Sequence, residues 1–201
     1  MSIMANKYHL KTYLLTSYLV DFATAVINPR KTEYHLLAIA CISIAAQMSD
    51  FDEKEVFYNS GTYSTINDYI NMRLIILEHL NYDLIFTTPY DYYQDSIAAN
   101  MNNKEWNLTK AMMIITTMSD IRLKEYANHI FYICTGFSLR YYKKPLNEIM
   151  KEMFIAHDLE LMKIIRRQYK TTRTGIKEYF NKITKNSPTL EDIKRYIDTV
   201  S

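Results

Sequence analysis

Residue types able to carry chemistry are few in this chain of 201 residues, and their spacing speaks against catalysis. His9, His35, His79, His129 and His157 stand at no ligand spacing with cysteines or carboxylates, so they form no metal-binding pattern. A glycine-rich phosphate loop and a nucleophile elbow are both missing, and no catalytic residue, metal site or cofactor is expected. Cys41 and Cys134 are the two cysteines, each inside an apolar helical stretch. Buried free thiols in a reducing compartment, cytoplasmic or nuclear, are their expected state.

Two kinds of charged residue invite a binding role instead. Arg73 falls inside the apolar stripe of a helical segment, where a guanidinium must either snorkel to water or meet a partner. Asp50 within the chain, or an acidic group on another protein, can serve as that partner. The second feature is a basic block. From Lys163 to Lys185 there are eight bases and one acid, Glu178, whereas Asp50 to Glu105 holds ten acids and three bases. Lys163, Arg166, Arg167, Lys170, Arg173 and Lys177, with Tyr169 and Tyr179 among them, can contact phosphate, although a solvated helix face is the commoner meaning of such a block.

The elements that position these residues are helices. Three glycines and four prolines leave too little punctuation for successive hairpins. Periodicity and capping signals divide the sequence into about ten helices. Tyr8 to Val26 places Leu15, Leu19 and Phe22 on one side. Thr32 is the expected cap of a helix from Leu36 to Asp50 that is apolar on nearly every face and rich in small residues, the composition of a helix surrounded by others. Its uncharged run, Leu36 to Ser49, is shorter than the roughly 18 residues a membrane span needs. Ser64 is the expected cap of the next long helix, which runs through Leu80 within a helical segment that reaches from Tyr69 to Leu84, with a stripe of Ile66, Ile70, Leu77 and Leu80 and with Arg73 at its middle.

Thr88 and Pro89 read as a cap and a first helical residue and set a boundary between two helical units, 1–87 and 88–201. Later helices are expected over Asn107 to Met118, Leu123 to Tyr142, Leu146 to Ala156, Asp158 to Tyr169 and Gly175 to Lys185. A capping box, Thr189 to Asp192, starts the last one. Small residues recur in the second unit as Cys134, Thr135, Gly136 and Ser138, an echo of the first. Abundant tyrosine with few glycines is compatible with an AT-rich genome, such as that of a large DNA virus or a parasite.

These residues resemble the cyclin family. Thr12 to Asp50 resembles helices two and three of the cyclin box without a gap, including Asp21 and the Ala45-Ala46 pair near the end of the third helix. Met72 to Leu84 is similar to helix five and its exit, with Tyr82 and Asp83-Leu84 in place. Thr88-Pro89 and Ala111 to Tyr142 are similar to the joint and the early helices of a second box. The resemblance implies an all-α, cyclin-like fold of two helical cyclin-box units, the first truncated, because the chain before Thr12 is too short for helix one with its Met-Arg-Ala-Ile-Leu docking patch. It also implies a regulatory subunit that binds a cyclin-dependent kinase, or a divergent one, through helices three and five. Gln47, Asp50, Met72, Arg73, Ile76 and Tyr82 match the kinase-facing strip. Two departures bear on activation. Where the family has a lysine and a glutamate that grip the kinase helix, this chain has Gln47 and Arg73, so one charge is neutralised and the other reversed. The alternative is a cyclin-fold transcription-factor core of the TFIIB type that uses the basic block on nucleic acid.

Overall fold

A computed structural model describes residues 10–48, 53–58, 60–61, 64–92, 101–117, 127–146, 151, 163 and 174–200. The described residues form helices and turns, and the chain divides into two compact units between Thr87 and Thr88. The fold is all-α.

In the first unit, α1 (Leu10–Ile27), α2 (Tyr34–Gln47), α3 (Glu53–Tyr58) and α4 (Ile66–His79) surround one core. By length and composition α1 is apolar enough to cross a membrane, but Leu14, Leu15, Leu19 and Ala23 are buried, and α1 packs along α2 as a core helix. It ends where Asn28 turns into the left-handed region (φ 48°) ahead of Pro29, which cannot continue a helix. The hub is α2. Leu36, Leu37, Ile39, Ala40, Cys41, Ser43, Ile44, Ala45 and Ala46 are all buried, and α1, α3 and α4 each pack on it. Alanine and serine on several sides let three neighbours approach closely, and each buried Leu or Ile contributes about 1.5–3 kcal/mol. The expected cap, Thr32, is not the one used. Glu33 holds the N-cap position with helical dihedrals and no side-chain cap bond, because its carboxylate instead accepts from the backbone N–H of Arg30 (2.9 Å) and from the Arg30 guanidinium.

The start of α4 also differs from the sequence reading. Thr65, one residue after Ser64, is the cap. Its Oγ1 accepts from Asp68 N–H (3.1 Å) while the Asp68 carboxylate accepts from Thr65 N–H (3.0 Å), a reciprocal box that needs an acid three residues on. The helix runs to His79 with Leu80 as its C-cap, within a residue of the expected end at Leu80, and the segment to Leu84 leaves it. Asn81 and Tyr82 both take positive φ, and Tyr82 N–H donates to Leu77 O (2.8 Å) while Asn81 N–H donates to Glu78 O (2.9 Å), which closes a Schellman turn.

The second unit opens with the Thr88/Asp91 box and a 3₁₀ turn, Pro89–Tyr92. Then follow α5 (Asn103–Thr117), α6 (Ala127–Tyr141), α7 (Thr174–Ile183) and α8 (Leu190–Val200). Asn102 and Glu105 box the start of α5, and Thr189 with Asp192 box α8 as the sequence foretells. Along α5 the buried hydroxyls of Thr109, Thr116 and Thr117 fold back onto carbonyls three or four residues earlier, which satisfies them inside an apolar core. The small-residue helix α6 packs along α5, with Cys134, Thr135, Gly136 and Ser138 buried, and Ser138 Oγ donates to Glu105 O (2.7 Å). The helices expected over Leu146 to Ala156 and Asp158 to Tyr169 lie outside the described residues, apart from Lys151 and Lys163.

Candidate functional site

The C-terminal half of α2 and the middle of α4 meet in a two-rung ladder. Ser43 and Gln47 are four residues apart on α2, and Tyr69 and Arg73 are four apart on α4, so each pair lies on one helix face. On the inner rung, Tyr69 Oη donates to Ser43 Oγ at 2.6 Å with both residues buried. On the outer rung, Arg73 Nη2 donates to Gln47 Oε1 at 2.8 Å, at the surface. The Arg73 guanidinium also lies 5.6 Å from the centre of the Tyr69 ring, so the tyrosine links the rungs: its hydroxyl goes inward and its face holds the cation. Thus Arg73 sits where the apolar stripe reaches water, held by a neutral acceptor and an aromatic face.

The stripe itself is rotated from its expected position. Tyr69, Met72, Ile76 and Leu80 face the core, whereas Ile66 and Ile70 are exposed at 42% and 44%, with Leu74 at 44%. Ile66, Ile70 and Leu74 recur every four residues and form an apolar row on one flank of α4, running alongside Arg73. The row places apolar surface beside the Arg73 cation. Periodicity alone leaves this open, because a band of apolar residues wider than half the helix fits two registers; the deciding signal is that Tyr69 has a hydroxyl partner within the core.

Of the residues named from sequence, Gln47, Arg73 and Tyr82 reach the surface, and Gln47 and Arg73 are in direct contact. Tyr82 is 62% exposed at the Schellman turn, where its left-handed backbone turns it away from the core. Ile76 is corrected from a contact residue to a core residue: it is fully buried, and Met72 nearly so, and both hold α4 against α2 from beneath the strip. Asp50 lies outside the described residues. Sequence reasoning missed Ser43, Tyr69 and the flank row. In the basic block, Arg166, Arg167, Lys170, Arg173 and Tyr169 lie outside the described residues, and of Tyr179 only the backbone is described. Lys163 is exposed, and Lys177 is engaged by Glu191 at 2.9 Å. Among the described residues no group of three or more histidines, cysteines and carboxylates gathers as a metal site. Burial pushes the Cys41 and Cys134 thiols up to about 12, which makes both poor nucleophiles.

The first unit is thus a central small-residue helix with α4 docked across its C-terminal half and a polar and apolar strip at their junction. Residues 2–85 match the family model of the cyclin N-terminal domain. That match supports a cyclin-family relationship over this stretch, and the described residues form an all-α, cyclin-like fold. Cyclins are regulatory, non-catalytic proteins, and the match supports a cyclin-like regulatory role. No curated protein matches the chain.

Proposed function

We propose that the protein binds a cyclin-dependent kinase, or a kinase related to one, through the strip where the C-terminal half of α2 meets the middle of α4. The observation that carries this reading is the 2.8 Å bond from Arg73 Nη2 to Gln47 Oε1. It joins at the surface the two positions at which the family places its kinase-gripping pair. Around it lie the flank row of Ile66, Ile70 and Leu74 and the exposed ring of Tyr82, enough apolar surface to receive an amphipathic partner helix. The cation has moved from the α2 side to the α4 side, so the partner helix presents an acceptor or an acid where an ordinary kinase helix presents the opposite chemistry. In such a complex the chain supplies no catalytic group; it acts by setting the kinase's regulatory helix and activation loop.

The test is capture from a cell lysate on the natural protein and on a Gln47→Lys, Arg73→Glu double variant, followed by assay of the bound kinase. Kinase bound and active on the natural protein supports a working regulator; kinase bound but silent supports a sequestering one. Kinase retained by the double variant alone, or by neither protein, refutes the reading.

A further inference from the structure

Beyond the turn that ends α4, the chain of the first unit runs on through a segment that no helix holds. Residues 83–87 form neither helix nor turn, and none of them takes positive φ. Leu84 and Phe86 are half-buried and pack against the core of the first unit, whereas Asp83, Ile85 and Thr87 are exposed. Exposure that alternates residue by residue is the pattern of an extended chain. Asp83 N–H donates to Leu80 O (2.9 Å), which anchors the start, and Ile85 N–H donates to Asp83 Oδ1 (3.0 Å). Among the described residues none pairs with the backbone N–H or C=O of Leu84 or Phe86, and unpaired groups of this kind lie open to water or to another chain. Ile85 is 91% exposed, the most of any large apolar side chain described.

We propose that residues 84–87 are an edge on which a second copy of this chain pairs, antiparallel about a two-fold axis at Ile85. An extended edge run antiparallel is its own complement, so a copy offers donors and acceptors in register where an arbitrary partner need not. With Ile85 opposite its counterpart, Leu84 of each copy faces Phe86 of the other, and all the unpaired N–H and C=O groups of both residues are used. Ile85, whose N–H is already engaged by Asp83, falls at the non-hydrogen-bonded position, where side chains come closest. Its exposed β-branched side chain then packs on its counterpart across the strands. In the same register Asp83 lies opposite Thr87 of the other copy, so a carboxylate meets a hydroxyl and not a second carboxylate. Edges that must stay single carry lysine or proline; residues 84–88, Leu-Ile-Phe-Thr-Thr, have neither. Strands this short bury less than a standard interface, so the pairing is weak and concentration-dependent. It needs no kinase and stands or falls independently of the α2–α4 strip.

Sedimentation of the full chain from about 1 µM to about 1 mM should show a monomer that passes into a dimer as concentration rises. Ile85→Lys sets like charges across the axis and should weaken the dimer roughly tenfold or more; since Ile85 is exposed, the variant keeps the thermal unfolding of the natural protein. The peptide Asp-Leu-Ile-Phe-Thr-Thr, copied from residues 83–88, should compete and return the protein to monomer. Methylating the peptide's Leu and Phe amides removes the pairing donors and should abolish competition, whereas methylating its Ile amide, which takes no part in the pairing, should leave competition in place. A monomer across the whole range, a dimer that Ile85→Lys leaves intact, one that Leu74→Lys on the α4 flank breaks instead, or equal competition by all three peptides overturns the proposal.

Discussion

Removing one oxygen at the inner rung of the α2–α4 ladder should measurably loosen the first unit. Tyr69→Phe keeps the ring in its buried seat and deletes only the hydroxyl that donates to Ser43 Oγ at 2.6 Å. Ser43 is fully buried, and stranding its hydroxyl there would cost about 1–3 kcal/mol. A serine inside a helix can rotate its hydroxyl onto a carbonyl of the preceding turn, which offsets part of that. The expected loss is about 1–2 kcal/mol. Ser43→Ala leaves the Tyr69 hydroxyl without this acceptor and should cost a similar amount. The double variant, with both polar atoms gone, should cost less than the sum of the two by about 1 kcal/mol, since coupled residues are non-additive. Urea unfolding followed by circular dichroism measures all four proteins; if the two units unfold separately, the shift belongs to the transition of the first. Single-variant losses that add to within about 0.3 kcal/mol would mean that the bond contributes nothing and that packing alone docks α4 on α2.

Ile76→Ala should destabilise the protein by about 2–5 kcal/mol because a fully buried side chain leaves a cavity, whereas Leu74→Ala, on the exposed flank, should stay within about 0.5 kcal/mol in urea unfolding yet reduce capture of a partner; equal stability losses would refute the rotated register of α4. Asp68 and Asp192 are held below the usual carboxylate range first by the side-chain hydroxyls of Thr65 and Thr189 and then by the backbone N–H groups of the same threonines. A carboxyl whose folded value is depressed stabilises the fold above its unfolded value, near pH 4, and loses that contribution as the pH falls through the folded one. Helicity on titration from pH 5 to pH 2 should therefore fall later in the natural protein than the acid loss of the Asp68→Asn, Asp192→Asn variant would allow, with the variant also less stable at pH 7; identical stability of the two proteins at pH 7 would refute the capping role. Cys41 and Cys134, buried with thiols pushed up to about 12, should resist a thiol reagent at pH 8 in the native protein and react in denaturant. Fast native labelling would contradict their burial.

Much of the helical layout was legible because it rests on local chemistry. The apolar content of α2 on every side foretells a helix with neighbours all round, and Thr189 with Asp192 contains both halves of its own box within four residues. What failed locally failed for a stated reason. Ser64 lacks the acid three residues on that Thr65 has in Asp68, and the cap position of α2 falls one residue after Thr32, at Glu33, whose side chain is engaged by Arg30 and caps nothing. The end of α4 was readable in principle from Asn81, a residue that tolerates the left-handed region. That Tyr82 would follow it there was not, since a bulky residue at positive φ is uncommon.

The site was half legible, and the missing half is tertiary. Sequence could register that Gln47 and Arg73 both depart from the family pattern; it could not show that the two departures touch, because their contact spans 26 positions and depends on the rotation of α4. That rotation follows from Tyr69. With its hydroxyl on Ser43 and its ring beneath the Arg73 guanidinium, the tyrosine fixes which side of α4 faces inward, and the same choice puts Ile66, Ile70 and Leu74 outside. The strip therefore results from one register, not from independently placed surface residues. Reverting only Arg73 to the family's glutamate would set an anion over the negative face of the Tyr69 ring, a repulsive contact, while the Gln47 amide could turn its N–H toward the new carboxylate, leaving the strip with an anion and no cation. The two positions must change together, as a lysine at 47 with a glutamate at 73, for the strip to regain a paired surface of the family's polarity.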